Sequence, residues 1–231
     1  SEYAHNFLTQ YYPQLVAKTS VQLIAHGTET FNNESHVSRT ESSNDPQILK
    51  ILYVSTVKKY KHQWNLIDAV GLLRKEGISV ELHLVGGGDS QALEIMQDAI
   101  HRNKSEKNFI FYHGSLPYEQ TLEWYHKADI FVFPSTCETF GISLLEAMTA
   151  GLPIASSDRG PMPEVLKDAG LYFNPESVTS IKNCLRYMIE NPDLMQSLGS
   201  KAKKYSEDYS LKKCADETFA FLSSVYEKNK T

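Results

Sequence analysis

Apolar positions in this chain switch repeatedly between two rhythms, and the switches mark out its elements. Ile48–Val57 is a nearly continuous apolar run, the mark of a central parallel strand buried on both faces. Trp64, Ile67, Ala69, Val70, Leu72 and Leu73 then recur at helical spacing, with Gly77 where a C-terminal cap glycine belongs. Ile78, Val80, Leu82 and Leu84 alternate with polar residues and predict a second strand. Asp89 or Ser90 can cap a helix whose stripe is Leu93, Met96, Ala99 and Ile100. Phe109–Tyr112 reads as a third strand, Pro117–Lys127 as a helix with proline near its first turn, and Ile130–Phe133 as a fourth strand. A helix at Ser143–Ala150, a strand at Pro153–Ser156, a short helix from Pro163 and a last strand at Leu171–Phe173 continue the alternation.

Strands alternating with helices at this spacing predict an α/β fold, a Rossmann-like, doubly wound parallel sheet with right-handed crossovers. The tail departs from that pattern. Val178, Ile181, Leu185 and Met188 form one helical stripe, Leu194 and Leu198 begin a second, and Leu211, Cys214, Ala215 and Leu222 carry a third, so extra C-terminal helices are expected. At the other end, Phe7, Leu8, Leu15 and Val16 predict a separate helical segment over residues 1–20, and Val21–Ala25 a short strand ending at His26-Gly27. Residues 21–231 are then one domain. The polar stretch from Phe31 to Asp45, closed by Pro46, is the best linker candidate.

Composition narrows the function classes. A formal net charge of −5 argues against nucleic acid as the main partner. Three cysteines, Cys137, Cys184 and Cys214, have no metal-ligand spacing and form no closed disulfide set, which points to a reducing, cytoplasmic setting. No apolar run reaches transmembrane length, and SEYAHNFLTQ lacks the layout of a signal peptide. With no Asp-x-Asp pair and no His/Cys cluster, no metal site and no cofactor are expected.

If the strand order is 3-2-1-4-5-6, a crevice opens between the C-terminal ends of the first and fourth strands. The first strand ends in Ser55-Thr-Val-Lys-Lys-Tyr-Lys61, and the fourth in Pro134–Gly141, where a helix begins. Lysines on one lip and a helix N-terminus on the other suit a diphosphate, while Glu138 and Glu146 suit the hydroxyls of a ribose or a sugar. The reading is a nucleotide-sugar site. Each part has a structural alternative. Ser143-Leu-Leu-Glu146 is also a capping box, and Lys58, Lys59 and Lys61 form an ordinary solvated turn when taken alone. Gly86-Gly-Gly88 invites a dinucleotide reading, but the third glycine of that fingerprint is missing and no acid ends the following strand.

Glu138-Thr-Phe-Gly-Ile-Ser-Leu-Leu-Glu146, followed by Ala-Met-Thr-Ala-Gly-Leu-Pro153, resembles the E-x7-E signature of the retaining family-four (group 1) glycosyltransferases. The likeness runs on through Ser157-Asp-Arg-Gly-Pro-Met-Pro-Glu164 and Ala169-Gly-Leu-Tyr-Phe173 and covers about residues 20 to 227. It implies the C-terminal, donor-binding half of a GT-B architecture, in which two Rossmann-like domains face each other. It also implies roles: Glu146 on the ribose, Glu138 on the transferred sugar, Lys61 on the diphosphate and its departing charge. The amides of Phe140, Gly141 and Ile142, with Ser143 and Leu144 behind them, would meet sugar and diphosphate, and Ser115 and Leu116 the base. Where that family usually has Gly-Arg, this chain has Ser55-Thr56, so one diphosphate cation is missing; either Lys58 or Lys59 replaces it or diphosphate binding is weaker. The resemblance further implies a metal-independent transfer from a nucleoside-diphosphate sugar to an acceptor hydroxyl. It implies too that an N-terminal acceptor-binding domain is absent from this chain, with residues 1–20 either a helical segment or a remnant of it, and that membrane contact arises only if the acceptor is lipid-linked. The alternatives are a noncatalytic nucleotide-sugar-binding module and a GT-B sugar-nucleotide epimerase.

Overall fold

The computed structural model describes residues 1–28, 48–228 and 230. The linker candidate, residues 31–46, lies outside them. Six strands form one sheet: β1 (Leu49–Val54), β2 (Val80–Val85), β3 (Ile110–Tyr112), β4 (Ile130–Phe133), β5 (Ile154–Ser157) and β6 (Gly170–Phe173). All pair in parallel, in the order β3-β2-β1-β4-β5-β6. The chain therefore starts in the middle of the sheet, winds out to β3, returns past β1 and winds out the other way. Right-handed crossovers place the helices of the two halves on opposite faces, and the crevice opens where the winding reverses, between β1 and β4.

Burial explains why these segments are strands. Every residue of β4 and β5 is buried, as are Ile51, Leu52 and Tyr53 of β1. Such strands suit the middle of a sheet covered on both sides. The covering helices are α3 (Gln63–Lys75), α4 (Ser90–Arg102), α5 (Tyr118–Lys127), α6 (Ile142–Thr149), α7 (Met162–Leu166), α8 (Val178–Ile189) and α9 (Pro192–Ser206). α3 packs on α4 and α8, α6 on α7 and α9, and α5 lies against β1. Asp89 caps α4 as expected, accepting from the Ala92 amide at 2.9 Å.

Two expectations at the N-terminus change. Residues 1–20 form two helices, α1 (Glu2–Tyr11) and α2 (Pro13–Lys18), because Pro13 has no N–H to continue the first ladder. Val21–Ala25 is not a strand: it runs without regular structure to a single bridge between Thr28 and Ser210, just before α10 (Leu211–Lys228). Among the described residues the sheet's two edge strands are β3 and β6, and this segment pairs with neither. α1, α2 and α10 bury no residue of their own, and Phe7, Tyr11, Leu15 and Phe219 face outward.

Candidate functional site

The loops that leave the C-terminal ends of the strands are stitched to one another by their own backbones. Ser55 N–H donates to Val85 O (2.9 Å), Val57 N–H to Gly87 O (2.7 Å) and Gly86 N–H to Gly114 O (2.8 Å). Gly86 holds a φ of 129°, and a Cβ there would lie 2.0 Å from the Ser55 carbonyl oxygen. That close approach accounts for Gly86, and a Cβ at Gly88 would likewise meet the Val57 carbonyl oxygen at 2.5 Å. Across the crevice, Thr136 N–H donates to Tyr60 O (2.8 Å), and His62 Nε2 lies 3.2 Å from Thr136 Oγ1. Burial lowers the pKa of His62. Tyr53, fully buried, donates to Lys61 O at 3.1 Å.

These links carry Lys61 to Glu138, and the two side chains form an ion pair through Nζ and Oε1. Their side chains are only 9% and 15% exposed, so the pair is shielded rather than solvated. Lys61 Nζ also lies 5.5 Å from the Phe133 ring centroid and 5.4 Å from that of Tyr60.

α6 supplies the other wall. Its N-cap is Gly141, in the left-handed region at φ 97°, with no side-chain cap. Leu145 N–H, donating to Gly141 O at 3.1 Å, makes the first i→i−4 bond of the helix, so the amides before it begin the helix unpaired within it. The capping-box reading is therefore overturned: Ser143 is the second helical residue rather than the cap, and Glu146 lies a full turn further on. Glu146 Oε2 instead accepts from the buried Tyr125 hydroxyl at 2.7 Å. Burial raises the Glu146 pKa, and the Tyr125 hydrogen bond pulls the other way. Tyr125 itself is raised well above the ordinary phenol value, first by burial and then by the adjacent carboxylate.

The result is one cavity of about 480 Å³ at the switch point. From the α6 side come Phe140, Gly141, Ile142, Ser143 and Glu146, and Glu138 from the preceding loop. Thr56 and Lys61 line it from the β1 side, Ser115 and Leu116 from the loop after β3. Leu144 does not line it; at 0% exposure it points into the core beneath Gly141. Lys58 and Lys59 also stay out of the lining, and Lys58 Nζ pairs with Asp89 at 3.0 Å.

Residues to which sequence reasoning gave no role also line the cavity, among them His26, Gly86, Gly87, Thr121 and Thr139. The His26 ring meets the Phe140 ring edge-on at 5.2 Å, and Phe140 meets Tyr209 likewise at 5.6 Å. The glycine run and the His-Gly end of the first segment were visible signals; Thr121, on α5, had none. Among the described residues, no group of three or more His, Cys, Asp or Glu could hold a metal ion, and no helix is long and apolar enough to cross a membrane.

The sequence profile of the family described as "Glycosyl transferases group 1" matches residues 35–205. O-antigen chain mannosyltransferase B of Escherichia coli is 28% identical over 167 residues, 72% of this chain and 44% of that protein. O-antigen chain mannosyltransferase RfbU of Salmonella typhimurium is 25% identical over 224 residues, 89% of this chain and 63% of that one. The chain thus spans between 44% and 63% of these two relatives. Among solved structures, sucrose-phosphate synthase from Thermosynechococcus elongatus superposes with a TM-score of 0.83 at 19% identity, over 99% of this chain and 57% of its own. The Anabaena protein HepE in complex with UDP-glucose gives 0.69 at 22% identity, over 77% of this chain and 49% of its own. At those identities the likeness establishes the fold, the Rossmann-like half of a GT-B architecture.

Proposed function

This chain belongs to the glycosyl transferases group 1 family, and from that premise we propose that it is the donor-binding half of a retaining, metal-independent glycosyltransferase that uses a nucleoside-diphosphate sugar. One observation carries the reading. A single cavity brings together the Lys61–Glu138 pair, the open start of α6 and the Glu146 carboxylate, three groups suited to three parts of one ligand. Its volume of about 480 Å³ falls within the usual range for small-ligand sites, about 300–1,000 Å³.

In this reading Glu146 accepts from the ribose hydroxyls, and Glu138 from hydroxyls of the sugar to be moved. The diphosphate lies against the α6 amides, Ser143 and Lys61, while Thr56 offers a hydroxyl and Ser115 and Leu116 flank the base. Transfer breaks the bond between the anomeric carbon and the diphosphate oxygen and makes one to the acceptor oxygen. The departing diphosphate gains negative charge, and Lys61 with the helix N-terminus stabilises it. The acceptor is bound by a second half of the cleft outside these 231 residues. The partial span of the relatives and the outward-facing apolar side chains of α1, α2 and α10 support that division. Residues 21–231 then act as one donor-binding unit, with residues 1–20 as an N-terminal helical segment or a remnant of the other half.

Thermal shift of the 231-residue chain with UDP, GDP and ADP, and with their hexose esters, tests the reading. At least one nucleotide should raise the midpoint, EDTA should not reduce the effect, and Glu146→Gln should weaken it about ten-fold, the loss of one charged hydrogen bond. No shift with any of these nucleotides would refute the proposal.

A further inference from the structure

Tyr125 is buried to 1% exposure on α5, an element that the sequence linked to no chemistry. Its ring packs 5.7 Å from that of Phe131 in β4, so the phenol cannot swing out to solvent. The hydroxyl lies 2.7 Å from Glu146 Oε2 and 3.3 Å from the Ser143 carbonyl. A phenol has one proton to donate, and the shorter contact to a carboxylate takes it. The terminal torsion of a glutamate is broad and nearly free, so a carboxylate on the wall of an open cavity has no fixed plane of its own. Here one oxygen is tied to the protein interior, and that tie fixes the plane.

We propose that Tyr125 is a positioning residue that makes Glu146 a one-oxygen reader of the nucleotide: Oε2 is held by the phenol, and Oε1 is left to accept from a single ribose hydroxyl. The proposal rests on the reading of the cavity given above and adds a specificity to it. A carboxylate free to turn can accept from either of two adjacent hydroxyls and tolerates the loss of one. A carboxylate held at one oxygen favours the hydroxyl that lies in line with the other. Discrimination between 2′- and 3′-deoxynucleotides is therefore built by a side chain that does not touch the ligand.

The test is calorimetry on the 231-residue chain with UDP, 2′-deoxy-UDP and 3′-deoxy-UDP, and the same series for GDP and ADP. In the wild-type chain one deoxy form should bind about ten-fold more weakly than its parent and the other nearly as well as it. Tyr125→Phe should shrink that contrast to less than about three-fold while weakening the parent nucleotide, and Glu146→Gln should abolish it. In the Glu146→Gln background, Tyr125→Phe should have no further effect on the contrast. A 3-fluorotyrosine at position 125, a stronger donor of nearly the same shape, should keep or widen it, which provides a second readout if Tyr125→Phe lacks a cooperative unfolding transition. If Tyr125→Phe weakens all three nucleotides of a series by the same factor, or leaves the contrast intact while Glu146→Gln removes it, the positioning role is overturned and the site reading stands. If no nucleotide binds the wild-type chain, or Glu146→Gln changes none of them, the site reading falls and the proposal with it.

Discussion

Glu138→Gln is expected to tighten the binding of a free nucleoside diphosphate, even though Glu138 lies in the centre of the site. In the unliganded protein the Lys61 ammonium is engaged by Glu138, and both side chains are shielded. An incoming diphosphate must share that ammonium with a carboxylate or displace it. Taking the carboxylate to lie about 6 Å from the nearest phosphate charge, the repulsion is about 1–3 kcal/mol at an effective dielectric of about 20–40. Solvent in the open cavity holds the effect near the lower end, so the gain should be about ten-fold in Kd. The same change removes the partner of a shielded ammonium. Glutamine can still accept from Lys61, so the free protein should lose about 1–2 kcal/mol, at the low end for a disrupted buried pair, and a few degrees of Tm.

The two effects are linked. The partner that Lys61 loses in the free variant is supplied by the diphosphate in the bound one. The ligand-induced rise in Tm should therefore be larger in Glu138→Gln than in the wild-type chain, with a lower starting point. The sugar ester behaves differently, because Glu138 is assigned to the transferred sugar. Its affinity relative to the free diphosphate should fall by about ten-fold, one charged hydrogen bond. Calorimetry with a nucleoside diphosphate and its hexose ester, beside thermal unfolding of both proteins, reads all three quantities. A Glu138→Gln protein that binds the free diphosphate more weakly than wild type would refute the electrostatic argument.

Thr56→Arg, at an exposed position on the cavity wall, should supply the missing second cation and tighten a nucleoside diphosphate about ten-fold or more, with little change in the affinity for the nucleoside alone. Glu146→Gln should raise Tm at neutral pH, because burial lifts the folded-state pKa of this carboxyl above its unfolded value and ionisation then works against folding. The sign follows: the advantage of glutamine is full above the raised pKa and vanishes below about pH 4, where the carboxyl is protonated in both states, as unfolding across pH will show. Cys184, half-buried and with its pKa pushed up to about 12, should resist a disulfide reagent near neutral pH until the chain unfolds. Cys137 is exposed beside Glu138, so it should react in the native state and be slowed by bound nucleotide sugar. Gly141→Ala should cost about 1–2 kcal/mol of stability, from the left-handed backbone rather than from crowding, since the nearest atoms to an added Cβ are 3.5 Å away.

The sheet was legible because its signals are local. Ile130–Phe133 is apolar throughout and buried throughout, and β1, α3 and α4 follow from run length, stripe and cap in the same way. The site was legible only as far as it is local too. Glu138, Gly141 and Glu146 lie on one short stretch, and their spacing could be read. What escaped is what pairs at long range. Tyr125 is 21 residues from Glu146 in sequence, and Asp89 is 31 from Lys58, yet these contacts decide which oxygen of Glu146 is committed and which lysine is withdrawn from the crevice. The supposed first strand at Val21–Ala25 failed for a related reason: alternation predicts an extended chain, but only a neighbouring strand edge makes it part of a sheet.

The capping-box ambiguity shows where sequence pattern gives way to geometry. Ser143-x-x-Glu146 fits a cap, and it fits a ligand-facing stripe, and the spacing is the same for both. The choice rests on the residue before the helix. Because Gly141 takes the left-handed conformation, the helix begins at Ile142, and Ser143 falls two positions too late to cap. Five of the eight residues of α6 are then buried, and those left out are Ile142, Ser143 and Glu146. Position 146 is one turn on from 142 and 143, so these three share a face, and it is the face that lines the cavity. Moving Glu146 by one position in either direction would rotate its carboxylate by about 100° around the axis, into the layer occupied by Leu145 and Ala147. The spacing of the two acids is thus fixed by the start of the helix, and a glycine sets that start.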